Sequence, residues 1–107
     1  MATAPKSEIL HMADLVAYNE GSVVSRQITK ADAGNVTLFA FDKDQELSEH
    51  TAPYDALAHV LDGETEITIS GKPFHLKAGD AIVMPAGEPH AVKALTRFKM
   101  LLTMIRK

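Results

Sequence analysis

The chain has 107 residues, of which 46% are hydrophobic and 23% charged, and a formal net charge of −3; this suits one domain with its own core and is too apolar for a disordered segment. It contains no cysteine, which excludes disulfides, thiolate metal sites and cysteine nucleophiles. Its lysines and arginines form no dense basic patch and its start, MATAPKSEILHMADL, carries no long apolar run, so no nucleic-acid or membrane partner is expected and a cytoplasmic location is the default.

Residues 7–17 (SEILHMADLVA) read two ways, since Ser7 suits a helix cap whereas Leu15-Val16-Ala17 suits extended chain. An extended arm with one helical turn is the expectation. Strands follow in close succession: residues 22–28 after Gly21, 36–41 after Ala33-Gly34-Asn35, then short runs at 47–50 and 56–61. Asp62-Gly63 between residues 57–61 and 64–69 predicts a β-hairpin with a type I′ turn, because Asp and Gly both tolerate the positive φ that turn demands. Ser70-Gly71 makes the next turn, before a strand at 72–76. In GDAIVMPAGEPH (residues 79–90), the apolar run Ala81–Met84 is bounded by Gly79-Asp80 and by a loop built on Pro85, Gly87 and Pro89. His90 then starts the strand at 90–94, and 98–105 is the last. Frequent turns and no helical period predict an all-β sandwich or barrel. Residues 1–30 are expected to form an arm and first strands that pack on the barrel or on a dimer partner, and residues 31–107 the barrel itself.

Alternation assigns the faces. Ile67 and Ile69 oppose Glu66, Thr68 and Ser70, while Phe74 and Leu76 oppose His75 and Lys77. The last strand is apolar on both sides, with Leu101 beside Leu102. A second sheet on one side and another subunit on the other would explain this, and so would cover by the N-terminal arm. A homodimer is the expectation.

Gly79, Pro85, Gly87 and His90 stand at the places of the motif G-x5-P-x-G-x2-H-x3-N, with Ala94 where the motif has asparagine. His50 and Gly63 match the motif G-x5-H-x-H-x3,4-E-x6-G, in which Asp44, Ala52 and Ala56 replace the opening glycine, the second histidine and the glutamate. On these residues the chain resembles, over roughly residues 36–104, a small single-domain cupin, and above all uncharacterised bacterial members of that family. The resemblance implies an all-β, double-stranded β-helix: a jelly-roll barrel of two antiparallel sheets with an extended N-terminal arm and a ligand pocket between the sheets. It also implies a divalent metal held by three histidines and a glutamate, of which only His50 and His90 match here. Alanine has no lone pair to give, and two imidazoles alone make a weak site for iron, manganese, nickel or zinc.

Regular alternation points Ala56, Ala58 and Val60 inward and Asp55, Leu57, His59 and Leu61 outward. A bulge near Pro53 would reverse this and bring Asp55 and His59 in beside His50 and His90 as an alternative metal set. The expected pocket comprises His50, Tyr54, Ala56, Met84 and His90. Each has a plain reading: the histidines as backbone-bonded strand ends, Tyr54 packed on the rim with Pro53, Met84 (with Met100 and Met104) as core filling. His11 and His75 are expected to be solvated, and Glu46, Glu49 and Glu88 to be surface charges. No phosphate loop, nucleophile elbow or HExxH pair is present. Two functions stay open: a barrel that binds a small molecule, through a degenerate two-histidine metal site or without metal, and a metal-dependent enzyme of dioxygenase or isomerase type acting on a small organic substrate.

Overall fold

A computed structural model describes residues 3–106. The ends of the two expected segments, Met1, Ala2 and Lys107, lie outside the described residues. Among the described residues nine strands run in chain order: β1 (Val23–Ala31), β2 (Gly34–Phe41), β3 (Glu46–His50), β4 (Tyr54–Asp62), β5 (Glu64–Ile69), β6 (Lys72–Lys77), β7 (Ala81–Met84), β8 (His90–Ala94) and β9 (Phe98–Arg106). They form a five-stranded sheet in the order β1-β2-β9-β4-β7 and a four-stranded sheet in the order β3-β8-β5-β6, with every pairing antiparallel. This is the expected jelly-roll barrel.

The two sheets close on a core of alternate residues. Phe41, Ala56, Ala58, Val60, Met84, Phe98 and Met100 come from the larger sheet; Ile67, Leu76, Val92 and Ala94 come from the smaller one. Phe41 and Phe98 face each other in register on β2 and β9, and their rings stack with centroids 4.5 Å apart, a pairing that contributes about 0.5–1.5 kcal/mol beyond the area it buries. Thr65 is the one fully buried hydroxyl residue among the described residues, and it donates to the Lys93 carbonyl at 2.7 Å, so its burial leaves no bond unmade.

The arm forms no strand: it turns at Lys6-Ser7, where Ser7 has φ of 61°, makes one 3-10 turn at Met12–Asp14 and turns again at Glu20-Gly21 before β1. Ala4, Leu10, Met12, Leu15 and Val16 pack on the outer face of the larger sheet against Ile28, Leu38, Ala40 and Leu101. β1 is fully paired with β2, so the expected boundary at residue 30 falls inside the first strand of the barrel. The apolar pair Leu101-Leu102 is resolved by this packing: Leu102 joins the barrel core and Leu101 lies under the arm.

One expectation is overturned. Asp62-Gly63 does not close a hairpin, since β4 pairs with β9 and β7 whereas β5 pairs with β6 and β8. Only Gly63 of the two has positive φ, at 75°, where a type I′ turn needs both. The dipeptide is a corner that carries the chain from one sheet to the other. Two-residue hairpins are found instead at Asp32-Ala33, joining β1 to β2, and at Ser70-Gly71, with φ of 48° and 82°, joining β5 to β6.

Candidate functional site: a paired imidazole at the barrel mouth

β3 and β8 are neighbours, and their register places His50 opposite His90. The register shifts between Leu47 and His50, so the strand end is irregular where it delivers the ring. His90 alternates with the core residues Val92 and Ala94, which puts both imidazoles on the interior side of the smaller sheet. Their ring centroids are 4.4 Å apart in an edge-to-face arrangement with an interplanar angle of 67°. His90 lies beneath, 5% exposed, while His50 is open to solvent.

Each ring is fixed in the same way. His50 Nδ1 lies 2.8 Å from the Ser48 carbonyl oxygen and His90 Nδ1 lies 3.2 Å from that of Glu88. A carbonyl only accepts, so each Nδ1 carries a proton and donates; a ring so held presents, in its neutral form, a bare lone pair at Nε2. No buried side-chain nitrogen or oxygen among the described residues lacks a partner, so the Nε2 of His90 opens to space that water reaches. The pKa of His90 is lowered, first by desolvation, with the charge of His50 adding to the effect and the bond to Glu88 opposing it. His90 is therefore neutral near pH 7.

The loop after β7 holds this geometry. Gly87 N–H donates to the Ala52 carbonyl at 2.9 Å, Ala86 N–H to Asp55 Oδ1 at 2.9 Å, and Ser70 Oγ to Glu88 Oε1 at 2.9 Å. Two separate segments, residues 52–55 and the turn at Ser70, thus clamp the Pro-rich loop that aims His90. Glu88 serves as a structural tie, which its expected role as a surface charge did not include.

The other expected residues fall in two groups. Ala56 and Met84 face each other across β4 and β7 in the core, each 2% exposed, and line the wall behind the mouth as packing. Tyr54 stands at the mouth end of β4 opposite Arg106, whose guanidinium donates to its hydroxyl at 3.3 Å. Asp55 and His59 go the other way. They pair in register with Ile105 and Leu101 on the outer face, and the irregularity in β4 lies between Val60 and Asp62 rather than near Pro53, so the bulge that would turn them inward does not form. They do not join His50 and His90. His75 is solvated as expected, on the outer face of β6, and pairs there with Glu64 at 2.7 Å.

Could this mouth hold the metal that the resemblance implies? Among the described residues, no three histidine, aspartate or glutamate side chains gather in a way that could hold one. Ala52 and Ala56 occupy the two positions that would complete the shell, and a first-row metal ordinarily takes three or more protein ligands. The donor set does not fit a resident metal. What the pair can do is accept hydrogen bonds, or take up a proton from an acidic group, at the Nε2 atoms.

Asp44 shows how a motif departure can keep the backbone. It stands where the motif has its opening glycine and adopts φ of 70°, the left-handed conformation that aspartate, among non-glycine residues, tolerates.

Comparison with known proteins agrees with this architecture. A family model described as "Cupin domain" matches residues 37–105. An uncharacterised protein of Aquifex aeolicus (strain VF5) is 31% identical over 103 residues, covering 94% of this chain and 84% of that one. The crystal structure of a conserved protein of unknown function from Streptococcus pyogenes superposes with a TM-score of 0.92 at 33% identity, over 100% of this chain and 96% of its own. A cupin superfamily protein from Desulfitobacterium hafniense gives 0.91 at 29% identity, over 99% and 97%. Motif, strand pairing and overall shape converge, and the chain belongs to the cupin family.

Proposed function

We propose that this cupin binds a small organic molecule at the barrel mouth, with His50 and His90 as its polar anchor and no resident metal. The observation that carries this reading is the pairing of two rings, centroids 4.4 Å apart, whose Nδ1 atoms are both committed to backbone carbonyls, which leaves the Nε2 atom of each as its free acceptor. A ligand with hydroxyl, amine or acid protons matches such a pair, and the apolar wall behind it suits a hydrocarbon body. The contrary reading, an enzyme of dioxygenase or isomerase type, needs a metal that stays bound through a reaction cycle, and the alanines at 52 and 56 leave it half a shell.

Elemental analysis of protein purified without chelators or a nickel column separates the two. Binding without metal predicts substoichiometric metal in wild type and in His90→Ala alike. It further predicts that hydroxy acids and amino alcohols, screened by NMR, shift the His50 and His90 ring resonances. A stoichiometric metal that His90→Ala removes would replace this reading with the enzymatic one.

A further inference from the structure

A second site lies far from the mouth residues in sequence, where the arm meets β1. A cleft of about 580 Å³ opens there, walled by Leu15, Val16 and Tyr18 of the arm and by Val24 and Arg26 of the strand. None of His50, Tyr54 or His90 lines it. Its size falls within the range of small-molecule sites, roughly 300–1,000 Å³.

Arg26 is the feature that says what belongs there. It pairs with Leu38 in register, which sets it on the outer face beneath the arm, and it is half-buried. Its only hydrogen bond among the described residues is a long one, Nη1 to the Leu15 carbonyl at 3.5 Å. The other arginines are matched: Arg97 Nε binds Asp42 Oδ1 at 2.8 Å, and Arg106 binds the Tyr54 hydroxyl. No carboxylate lies within ion-pair distance of Arg26, because the ion pairs among the described residues are His75–Glu64 and Arg97–Asp42. A guanidinium stays charged at any physiological pH and offers five N–H donors, so partial burial with one long bond leaves charge and donors unanswered. Behind Tyr18 the charges are matched, since Arg97 and Lys99 sit over its ring at 5.5 and 5.0 Å while Asp42 pairs with Arg97 and Asp62 engages the Tyr18 hydroxyl, so Arg26 is the charge the cleft leaves unanswered.

We infer that this cleft binds a small amphipathic carboxylate, its acid group on Arg26 and its hydrocarbon body against Leu15, Val16, Tyr18 and Val24. One unpaired guanidinium balances a single negative charge in a bidentate fork, and the remaining walls ask for an apolar body.

Decanoate and its neutral counterpart decanol test this on the full chain. Isothermal calorimetry on wild type is expected to show decanoate binding at least about tenfold tighter than decanol, as a charge-assisted bond to a partly buried guanidinium implies. Backbone amide shifts should map to residues 15–19 and 24–26 and leave His50 and His90 unmoved. Arg26→Gln should remove the preference for decanoate while decanol binding is unchanged, with Arg26→Lys retaining part of it. Equal affinity for acid and alcohol in wild type would overturn the inference, and that comparison needs no variant to fold. So would shifts that fall at the barrel mouth, or amide shifts at 15–19 that depend on protein concentration alone, which would mark a second copy as the occupant.

Discussion

His90 is buried beside another histidine, and its lowered pKa has a consequence for stability as well as for binding. The folded state holds the ring neutral, whereas in the unfolded chain it takes a proton below about 6.5. The unfolded state thus binds more protons as pH falls through that value, and stability declines on the acid side; it is unaffected above it. The ring C–H resonance of His90 is expected to titrate below 6.5, and to move up in His50→Ala, where both the neighbouring charge and part of the desolvation are gone. A titration at or above 6.5 in wild type would contradict the buried, paired geometry. The pairing itself was foreseeable from motif positions 50 and 90, since family spacing encodes it. Nothing in the sequence, however, shows that Ser48 and Glu88 carbonyls fix the tautomers, or that Arg26 lacks a counterion. Both depend on backbone positions and on neighbours distant in the chain.

Strands and turns were readable to within a few residues because period-2 alternation and Gly/Pro punctuation are local signals. β7 and β8 match their expected bounds. Pairing is not local, and Asp62-Gly63 shows the difference. A dipeptide that tolerates positive φ serves a hairpin or a sheet-to-sheet corner, and the choice is made by β9, which occupies the place beside β4 that β5 would have taken. Gly63 also has a spatial reason to be glycine, since a Cβ there would sit 2.0 Å from the Arg97 carbonyl oxygen and 2.8 Å from Phe98 Cβ. At Gly71, also at positive φ, a Cβ would meet nothing within 4 Å. Gly71→Ala should therefore cost only the conformational penalty of about 1–2 kcal/mol. Gly63→Ala adds a backbone clash and should cost about 3 kcal/mol or more. Urea denaturation of the two variants checks this; equal losses would mean that the corner relaxes freely and that contact with the β8–β9 turn does not hold it.

The arm covers only part of the outer face of the larger sheet. Beyond its reach Leu57, Val83 and Ile105 remain 40%, 57% and 60% exposed. They are neighbours: Val83 and Leu57 are register partners on β7 and β4, and Ile105 lies on β9 opposite Asp55, one diagonal step from Leu57. Three large apolar side chains on adjacent strands, flanked by Asp55 and His59 on the same face, form the kind of patch that a self-complementary two-fold contact buries. The arm takes Leu101, and we propose that a second copy takes the end of β9 at Ile105. We expect wild-type protein to sediment as a homodimer at micromolar concentration. Val83→Glu should yield monomer with an unchanged far-UV spectrum and stability within about 0.5 kcal/mol, because substitution at an exposed position disturbs little within the subunit. Dissociation must leave the His50–His90 pair intact, since those rings belong to the other sheet; the monomeric variant should keep the His90 titration of wild type. A wild-type chain that stays monomeric over the whole concentration range would mean that the patch is bare surface, and a variant whose His90 titration moved would mean that the two sheets communicate through the core.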